Sequence, residues 1–371
     1  MKRRSFLTLS GGAILLASTG YYLWSDKKNL VRNDIDLKET QKVSLKPDEN
    51  EILYLASLAP SGHNTQPWFI KYIEPYHWII GNDSKRWLPN IDPNQRETIL
   101  SIGAFLQNLE FASSNLGYDC QFTLLATHNQ NENIMEVRLI KGLRKFNFDP
   151  QKIIKRCTVR SNFSSERIQE ADLNFLRRED SENLHFIPNN DPNYQFLNNQ
   201  TIEANRIQSY RDSAELELSN WIRFSNKEAN AHLDGLTTAG MEIDGISGWI
   251  VRNFYSKQTV MEKGFREKSI SHVIQQVSQS AGWMLITSKG NSVATLLETG
   301  KIMQRLFLKI RDKGIAMHPM TQILEETATN QTINHSIGIK DPIQFILRMS
   351  YLKSYPEPVS LRRPLDVLFH S

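Results

Sequence analysis

A ten-residue loop decides the fold prediction: Ala59-Pro60-Ser61-Gly62-His63-Asn64-Thr65-Gln66-Pro67-Trp68. It follows a predicted helix and opens a predicted strand. The loop offers backbone amides, a serine hydroxyl and two side-chain amides in a small space, and such groups complement the ring edge of a planar cofactor. A nucleophilic serine is not predicted, because there is no G-x-S-x-G elbow and no clear base or acid partner follows in order. The loop therefore predicts a cofactor site.

Helices and hairpins alternate around this loop. Apolar residues at helical spacing predict one helix that starts at Asp48, with Asp48 as N-cap and Glu51 as its capping-box partner, and a second helix over 99–116. Strands are predicted at 68–74, 77–82, 122–126 and 134–140. Helix, hairpin, helix, hairpin is typical of an α+β fold in which helices cover one face of an antiparallel sheet.

The second half of the sequence contains related elements at looser spacing. Helices are predicted over 171–177, 213–224 and 302–314, and strands over 283–287 and 345–351. Between them, residues 229–275 contain five glycines among apolar residues such as Trp249 and Phe254. We interpret this segment as an insertion, either a lid that packs over the site or a purely structural addition.

A basic string opens the second half: Arg156-Cys157-Thr158-Val159-Arg160. Two guanidinium groups with a hydroxyl between them can converge on a phosphate through short charge-assisted hydrogen bonds. Most strings of this kind are solvated surface, so the string alone is a weak signal.

Together these motifs resemble the nitroreductase family, and especially a branch with twin-arginine signals and a doubled domain. The resemblance implies FMN as cofactor, with the 60–66 loop at the flavin ring and the arginine string at the phosphate. It implies that the backbone amide of Met320 or Thr321 faces flavin N5, and that Arg362, or Arg363 if the register slips by one, contacts the phosphate. The implied FMN-binding residues are Pro60, Ser61, Gly62, Asn64, Gln66, Arg156, Thr158, Arg160, Met320, Thr321 and Arg362.

In family homodimers each flavin site is built from both subunits. Here the Asn64 loop and the arginine string occur once each, in opposite halves (49–150 and 151–371). The resemblance therefore implies a nitroreductase-like fold with two related halves, a monomer with an internal pseudo-dimer, and one FMN per chain. No catalytic residue is assigned and no metal site is predicted. His318 is either a proton donor or a structural histidine.

The first residues read as a targeting segment. Arg3-Arg4-Ser5-Phe6-Leu7 resembles the twin-arginine signal, which implies the twin-arginine export machinery as a partner. The sequence thus predicts a periplasmic location or one on the outer face of the cytoplasmic membrane. The uncharged stretch 6–24 is just long enough to span a bilayer, so a retained anchor and a cleaved signal both stay open. Residues 26–48 are predicted to be a solvated linker.

Composition narrows the function classes. A net charge of +4, from 44 basic and 40 acidic residues spread along the chain, is too mild to indicate nucleic-acid binding. Two cysteines can form at most one bridge and are better explained as small buried thiols. The leading hypothesis is an FMN-dependent oxidoreductase acting on a small organic acceptor outside the cytoplasm. The alternative is a protein that binds or sequesters FMN without turnover.

Overall fold

The computed structural model describes residues 25–34, 43–142 and 148–370. The predicted twin-arginine signal and the apolar stretch 6–24 lie outside these ranges. Within them, no helix combines the length and the apolar character needed to cross a membrane. Cys120 and Cys157 are both free, half-buried thiols.

Helices and strands follow the order expected from the sequence, with additional helices in the second half. The α-helices are α1 (Pro47–Ser57), α2 (Arg96–Asn115), α3 (Gln151–Lys155), α4 (Glu170–Arg177), α5 (Pro192–Tyr210), α6 (Asp212–Trp221), α7 (Asn226–His232), α8 (Gly245–Phe254), α9 (Lys257–Val260), α10 (Lys263–Val277), α11 (Val293–Lys309), α12 (Gln322–Glu325) and α13 (Thr327–Ile337). The strands are β1 (Trp68–Glu74), β2 (His77–Asn82), β3 (Tyr118–Leu124), β4 (Asn133–Lys141), β5 (Leu184–Pro188), β6 (Ile222–Arg223), β7 (Leu236–Thr237), β8 (Gly282–Thr287), β9 (Ile315–Pro319), β10 (Ile343–Tyr351) and β11 (Phe369–His370).

Two larger sheets organise the chain. The first has the strand order β11-β1-β2-β4-β3, and the second has the order β5-β8-β10-β9. Pairing is antiparallel throughout both sheets except between β1 and β11, which run parallel with Ile70 opposite Phe369. The α+β class with antiparallel sheets is confirmed, apart from this one parallel pair. The late strand β11 covers the edge of β1, whose backbone groups would otherwise be unpaired.

The predicted N-cap of the first helix, Asp48, is wrong by two residues. The helix begins at Pro47, a residue favoured at the first helical position, and Lys46 is the N-cap. Glu49, and not Glu51, reaches back to accept a 3.0 Å hydrogen bond from the Lys46 amide. Asp48 lies inside the helix, where its carboxylate accepts hydrogen bonds from the Tyr76 and Tyr118 hydroxyls.

The long helices α2 and α11 pack against each other at the centre of the molecule. Gly103 of α2 faces the carbonyl oxygen of Leu297, and Gly300 of α11 faces the carbonyl oxygen of Leu100. A Cβ atom at either glycine would overlap the facing backbone, so only glycine permits this close approach. The two contacts are reciprocal. In each helix the glycine lies three residues after the leucine whose carbonyl faces the glycine of the other helix.

Residues 25–34, which form the first part of the predicted linker, make specific contacts with the folded body. Residues 25–34 pack along the insertion, where Asp26 accepts a 2.7 Å hydrogen bond from the Asn226 amide and the Thr238 hydroxyl donates to Asn29 at 2.6 Å. Further along, the Arg32 guanidinium donates to the carbonyl of Ile154 at 2.6 Å. These contacts use polar side chains without apolar periodicity, which is why the sequence pattern does not reveal them.

Candidate functional site

A cavity of about 300 Å³ lies where the predicted cofactor motifs meet. It is lined by the 60–64 loop, by the 156–160 string, by Arg362 and by residues of both halves of the chain. All the predicted cofactor residues line it except Gln66 and Met320. The volume is at the lower end of the range for small-molecule sites.

The 60–66 loop has an unusual backbone. His63, Asn64 and Gln66 all have positive φ values of 45°, 53° and 52°, which non-glycine residues rarely adopt. Such a conformation costs free energy and persists only where the surroundings hold it. Here the Asn64 side-chain amide donates to the carbonyls of Gly235 and Leu361, at 3.3 and 3.2 Å. The loop is therefore tied to the insertion and to the C-terminal segment.

Gln66 supports the loop from behind and does not line the cavity. Its side chain is fully buried, donates to the Leu233 carbonyl at 3.0 Å and accepts from the Arg363 amide at 2.9 Å. The Arg363 guanidinium in turn donates to the carbonyls of Gln66 and Trp68. Arg362 is consequently the arginine of this pair that reaches the cavity, as the first of the two predicted registers requires.

Met320 and Thr321, the two candidates for the flavin-facing amide, differ in their positions relative to the cavity. The Met320 amide donates to the Ile346 carbonyl at 2.9 Å, and its side chain is buried in the second core cluster. That amide is therefore already used by the backbone, and Met320 does not line the cavity. Thr321, the next residue, does.

One part of the cavity wall contains Arg156 and Arg362, and Arg32 does not line the cavity but places its charge near both of them. We call these three arginines the guanidinium end. Arg156 and Arg362 are only 7% and 6% exposed. Arg362 donates to the Asn64 side-chain oxygen at 2.8 Å and to the carbonyls of Leu58 and Ala59. Within the described ranges, the Nε and Nη1 groups of Arg156 and the Nε of Arg362 have no hydrogen-bond partner.

The guanidinium end carries uncompensated positive charge. None of its three arginines forms an ion pair with a carboxylate of the described residues. Burial, with the nearby Arg32 charge, lowers the pKa of Arg156 to about 10. Burial, followed by the charges of Arg156 and Arg32, holds the pKa of Arg362 well below its ordinary value. Buried cations with unused donors are a site for an anion such as a phosphate.

Arg160 lies in the same cavity but does not belong to this end. Its guanidinium donates to the Gly240 carbonyl at 2.7 Å, and its backbone amide donates to the Glu242 carboxylate, also at 2.7 Å. The 156–160 segment is not helical. At about 3.3 Å per residue, its first and last side chains are therefore spread along the cavity and do not converge on one point. Arg32, which the sequence analysis did not identify, is the third arginine of the guanidinium end.

Another part of the cavity wall, which we call the carboxyl end, contains Glu97 and Glu325. Glu97 accepts a 2.8 Å hydrogen bond from Arg96, and Glu325 accepts one of 2.9 Å from the Thr321 hydroxyl. Burial, followed by the Glu325 charge, raises the pKa of Glu97 to about 8, and burial raises the pKa of Glu325. No sequence motif marks these glutamates, since single acidic residues at helix ends are common.

Both histidines of the cavity are uncharged at neutral pH. Burial and the Arg160 charge lower the pKa of His63 to about 4. Burial, then Arg160 and Arg348, hold the pKa of His318 well below its ordinary value. His318 Nδ1 lies 3.3 Å from an Arg348 nitrogen on the neighbouring strand β10. This geometry favours the structural interpretation of His318 over that of a proton donor.

Several known proteins are similar to this chain over most of its length. No family model matches the chain. It is 24% identical over 338 residues to "Putative NAD(P)H nitroreductase acg" of Mycobacterium tuberculosis, covering 85% of this chain and 93% of that protein. It is 21% identical over 308 residues to "Probable NAD(P)H nitroreductase PigM" of a Serratia species, covering 77% and 83%. These similarities support a relationship with nitroreductase-like oxidoreductases.

Similarity to solved structures is weaker. The FMN-dependent nitroreductase NfnB of Mycobacterium smegmatis, solved in complex with NADPH, has a TM-score of 0.34 and 13% identity. The match covers 56% of this chain and 92% of that one. The score is too low for a residue-by-residue comparison of the two sites.

Proposed function

We propose that the chain is an FMN-dependent oxidoreductase that acts on a small organic acceptor outside the cytoplasm. The observation that carries this proposal is the guanidinium end, where buried Arg156 and Arg362 keep unused donors beside Arg32. Such an arrangement is stable only if an anion offsets the cost of burying the charges. The monoanionic or dianionic phosphate of FMN has the required charge and several acceptor oxygens.

The residues around the cavity fit the rest of the cofactor. Arg32, Arg156 and Arg362 would hold the phosphate, while Ser61 and Asn64 would border the flavin with their polar groups. Thr321, whose neighbour Met320 has already used its amide, would present the amide at the ring. When bound, FMN supplies a hydride equivalent or single electrons to an acceptor, and the protein supplies binding and orientation.

The proposal includes two related halves that form an internal pseudo-dimer with one site. The reciprocal contacts of Gly103 and Gly300 support it, because they are what a twofold relation between α2 and α11 would produce. The composite cavity supports it as well, since Asn64 comes from the first half and Arg156 and Arg362 from the second.

Location and electron donor are proposed from the sequence. The twin-arginine-like start supports export of the folded, cofactor-loaded protein, with the apolar stretch 6–24 as signal or anchor. The relatives acg and PigM carry NAD(P)H nitroreductase names. NAD(P)H is scarce outside the cytoplasm, so we propose a quinone or another protein as donor for the exported chain.

A second function, storage of FMN without turnover, is favoured by one feature of the cavity. Gly235, Leu236, Thr237 and Gly240 of the insertion form part of its wall. The Gly235 amide also donates to the Asn64 carbonyl at 3.2 Å, which fastens the insertion to the loop. A covered flavin would be protected from acceptors.

Purification of the full chain followed by an absorbance spectrum and a donor screen tests both functions. Bound FMN that NAD(P)H or a reduced quinone bleaches, and that a nitroaromatic or a quinone then reoxidises, would support the oxidoreductase. Tightly bound FMN that none of these donors reduces would support storage. A colourless protein that does not take up added FMN would contradict both.

A further inference from the structure

The carboxyl end has a feature that cofactor binding does not explain. Glu97 and Glu325 both line the cavity, and Asp92 lies close to them. Arg96 is the nearby cation, and it pairs with Glu97 at 2.8 Å. Three carboxylates against one guanidinium leave a net charge of about −2 in a buried space, which is unfavourable unless protons are taken up.

Glu325 also borders a second cavity of about 510 Å³. Exposed residues, among them Asn94 and Asn330, line this second cavity, so it communicates with solvent. Glu325 is therefore a boundary residue with water on one side and the cofactor cavity on the other. The Thr321 hydroxyl donates to Glu325 at 2.9 Å and also interacts with Glu97. Hydroxyl groups that can both donate and accept are suited to relaying a proton.

The same cavity contains groups that indicate a ligand. Arg156 is more than nine-tenths buried and keeps unpartnered donors there, and the Gln322 side-chain oxygen at the carboxyl end is buried without a partner among the described residues. The arginines of the wall stay protonated near neutral pH, and burial lowers the pKa of both histidines, His63 and His318, so that they are neutral there. Glu97 is consequently the wall residue with a proton available near neutral pH.

We propose that Glu97 is the proton donor to the reduced acceptor, and that Glu325 with Thr321 returns the proton to it from the second cavity. This inference rests on the proposed oxidoreductase function. Bound FMN, once reduced, would supply the acceptor with two electrons and one hydrogen as a hydride equivalent. The Glu97 O–H bond then breaks as a new O–H or N–H bond forms on the acceptor. The Glu97 carboxylate regains its proton from water through Thr321 and Glu325.

Other charged groups around the pair are already engaged. Asp92 accepts from the Thr98 amide at 3.0 Å. Glu326, the residue after Glu325, forms an ion pair with Arg211 at 2.5 Å. The Gln208 side-chain amide donates hydrogen bonds to both Glu325 and Glu326. Burial also raises the pKa of Asp92, but Asp92 does not line the cofactor cavity, so Glu97 and Glu325 are the carboxylates placed to exchange a proton with a bound acceptor.

The test uses the full chain loaded with FMN and reduced with dithionite, so that no physiological donor is needed. Reoxidation is followed by stopped-flow absorbance with two acceptors. Benzoquinone needs protons to form its quinol, whereas ferricyanide takes single electrons and needs none. In Glu97→Gln, we expect reoxidation by benzoquinone to slow about 100-fold, the scale of general acid catalysis, while that by ferricyanide stays within about twofold.

Two further variants complete the comparison. Glu325→Gln should slow benzoquinone turnover about tenfold, because proton return is impaired. Glu298→Gln, a matched change at an exposed glutamate that pairs with Arg305, should behave like the wild type. Wild-type benzoquinone rates should fall as pH rises through about 8, where Glu97 loses its proton, and this dependence should be absent in Glu97→Gln.

A readout without flavin checks the protonation directly. A raised pKa in the folded state stabilises the fold below the ordinary carboxyl value of 4.5, and this stabilisation is lost as pH rises towards about 8. The Tm of the wild type minus that of Glu97→Gln should therefore fall across this range. An equal slowing with both acceptors, or a flat Tm difference, would overturn the proton-donor role. Failure to bind FMN would instead contradict the proposed function.

Discussion

The two ends of the cavity bury opposite charges, and they differ in how the free-energy cost of burying those charges can be reduced. At the carboxyl end, Glu97 and Glu325 can lower their charge by taking up a proton, because burial raises their pKa towards neutrality. At the guanidinium end this route is closed. Arg156 still has a pKa of about 10, so it remains charged at neutral pH. The carboxyl end can therefore reduce its charge by taking up protons, whereas the guanidinium end needs a bound anion to offset its charge.

The largest effect is expected on the free energy of unfolding, when the contact between α2 and α11 is broken. Glu97 is on α2, and the cavity residues Met303 and Phe307 are on α11. The contact between the two helices therefore fixes the position of Glu97 relative to Met303 and Phe307. Gly300→Ala would push a methyl group into the Leu100 carbonyl, and we expect a loss of about 3 kcal/mol in the free energy of unfolding. Urea denaturation measures it.

The matched control is Gly264→Ala in α10, where an added Cβ meets nothing within 4 Å. Alanine should stabilise this helix by up to about 1 kcal/mol. Similar losses for both variants would show that α2 and α11 do not depend on the glycine contact.

The second prediction removes charge from the guanidinium end. Arg156→Met should weaken FMN binding about 100-fold, since two charge-assisted hydrogen bonds of about 1.5 kcal/mol each are lost. Riboflavin, which lacks the phosphate, should bind as before. Without FMN the variant should unfold at higher temperature than the wild type, because a buried unpaired cation has been replaced by an apolar side chain. Calorimetry provides both measurements.

Lys85→Met, which removes an exposed cation, serves as the control and should leave FMN affinity unchanged. If Arg156→Met lowers the affinities for FMN and riboflavin equally, the phosphate does not lie at the guanidinium end.

The third prediction adds a carboxylate where the protein has none. In Asn64→Asp the new side chain keeps the shape of asparagine, whose oxygen already accepts from Arg362 at 2.8 Å. The internal carboxylate would compete with the phosphate for Arg362, and it would lose the two hydrogen bonds that the amide donates to Gly235 and Leu361. We therefore expect FMN affinity to fall about tenfold more than riboflavin affinity, since the lost loop contacts affect both ligands and the competition affects FMN alone. Fluorescence titration distinguishes the two ligands. An unchanged FMN affinity would exclude Arg362 from phosphate binding.

The smallest effect is expected at Arg32, which is half-buried and donates to the Ile154 carbonyl. Arg32→Gln should lower FMN affinity about threefold, because a partly solvated charge contributes less than a buried one. The loss should shrink further at 0.5 M salt, where partly exposed charges are screened. A loss as large as that of Arg156→Met would mean that residues 25–34 close over the phosphate more tightly than their exposure indicates.

The sequence predicted the parts of the fold that follow local rules. Strands β1 and β2 have the predicted bounds, and the helix ending near Gly117 stops where that glycine adopts a φ of 81°. Periodicity could not predict the parallel pairing of β11 with β1, since it joins residues about 300 positions apart. The start at Pro47 was missed because Asp48 and Glu51 matched a capping-box pattern that Lys46 and Glu49 form instead.

The site was predicted where a motif carried it. The string around Asn64, the arginines and Arg362 were all found by resemblance, and they meet in one cavity. Gln66 and Met320 do not line the cavity, because their polar groups already bond to the backbone, and a motif does not show such bonds. Arg32 and Glu325 escaped for a different reason. Their significance comes from burial and neighbouring charge, which only the folded chain defines.

The long separation between Asn64 and Arg362 has a consequence for the order of events in synthesis. Arg362 and strand β11 leave the ribosome some 300 residues after the loop and strand that they complete. The edge of β1 must therefore stay unpaired until β11 has been synthesised. The proposed phosphate site, which includes Arg362, is likewise incomplete while the chain is still growing. If FMN binds as proposed, a chain that stops before Arg362 would lack a phosphate-binding arginine, so uptake of the cofactor would require completed translation.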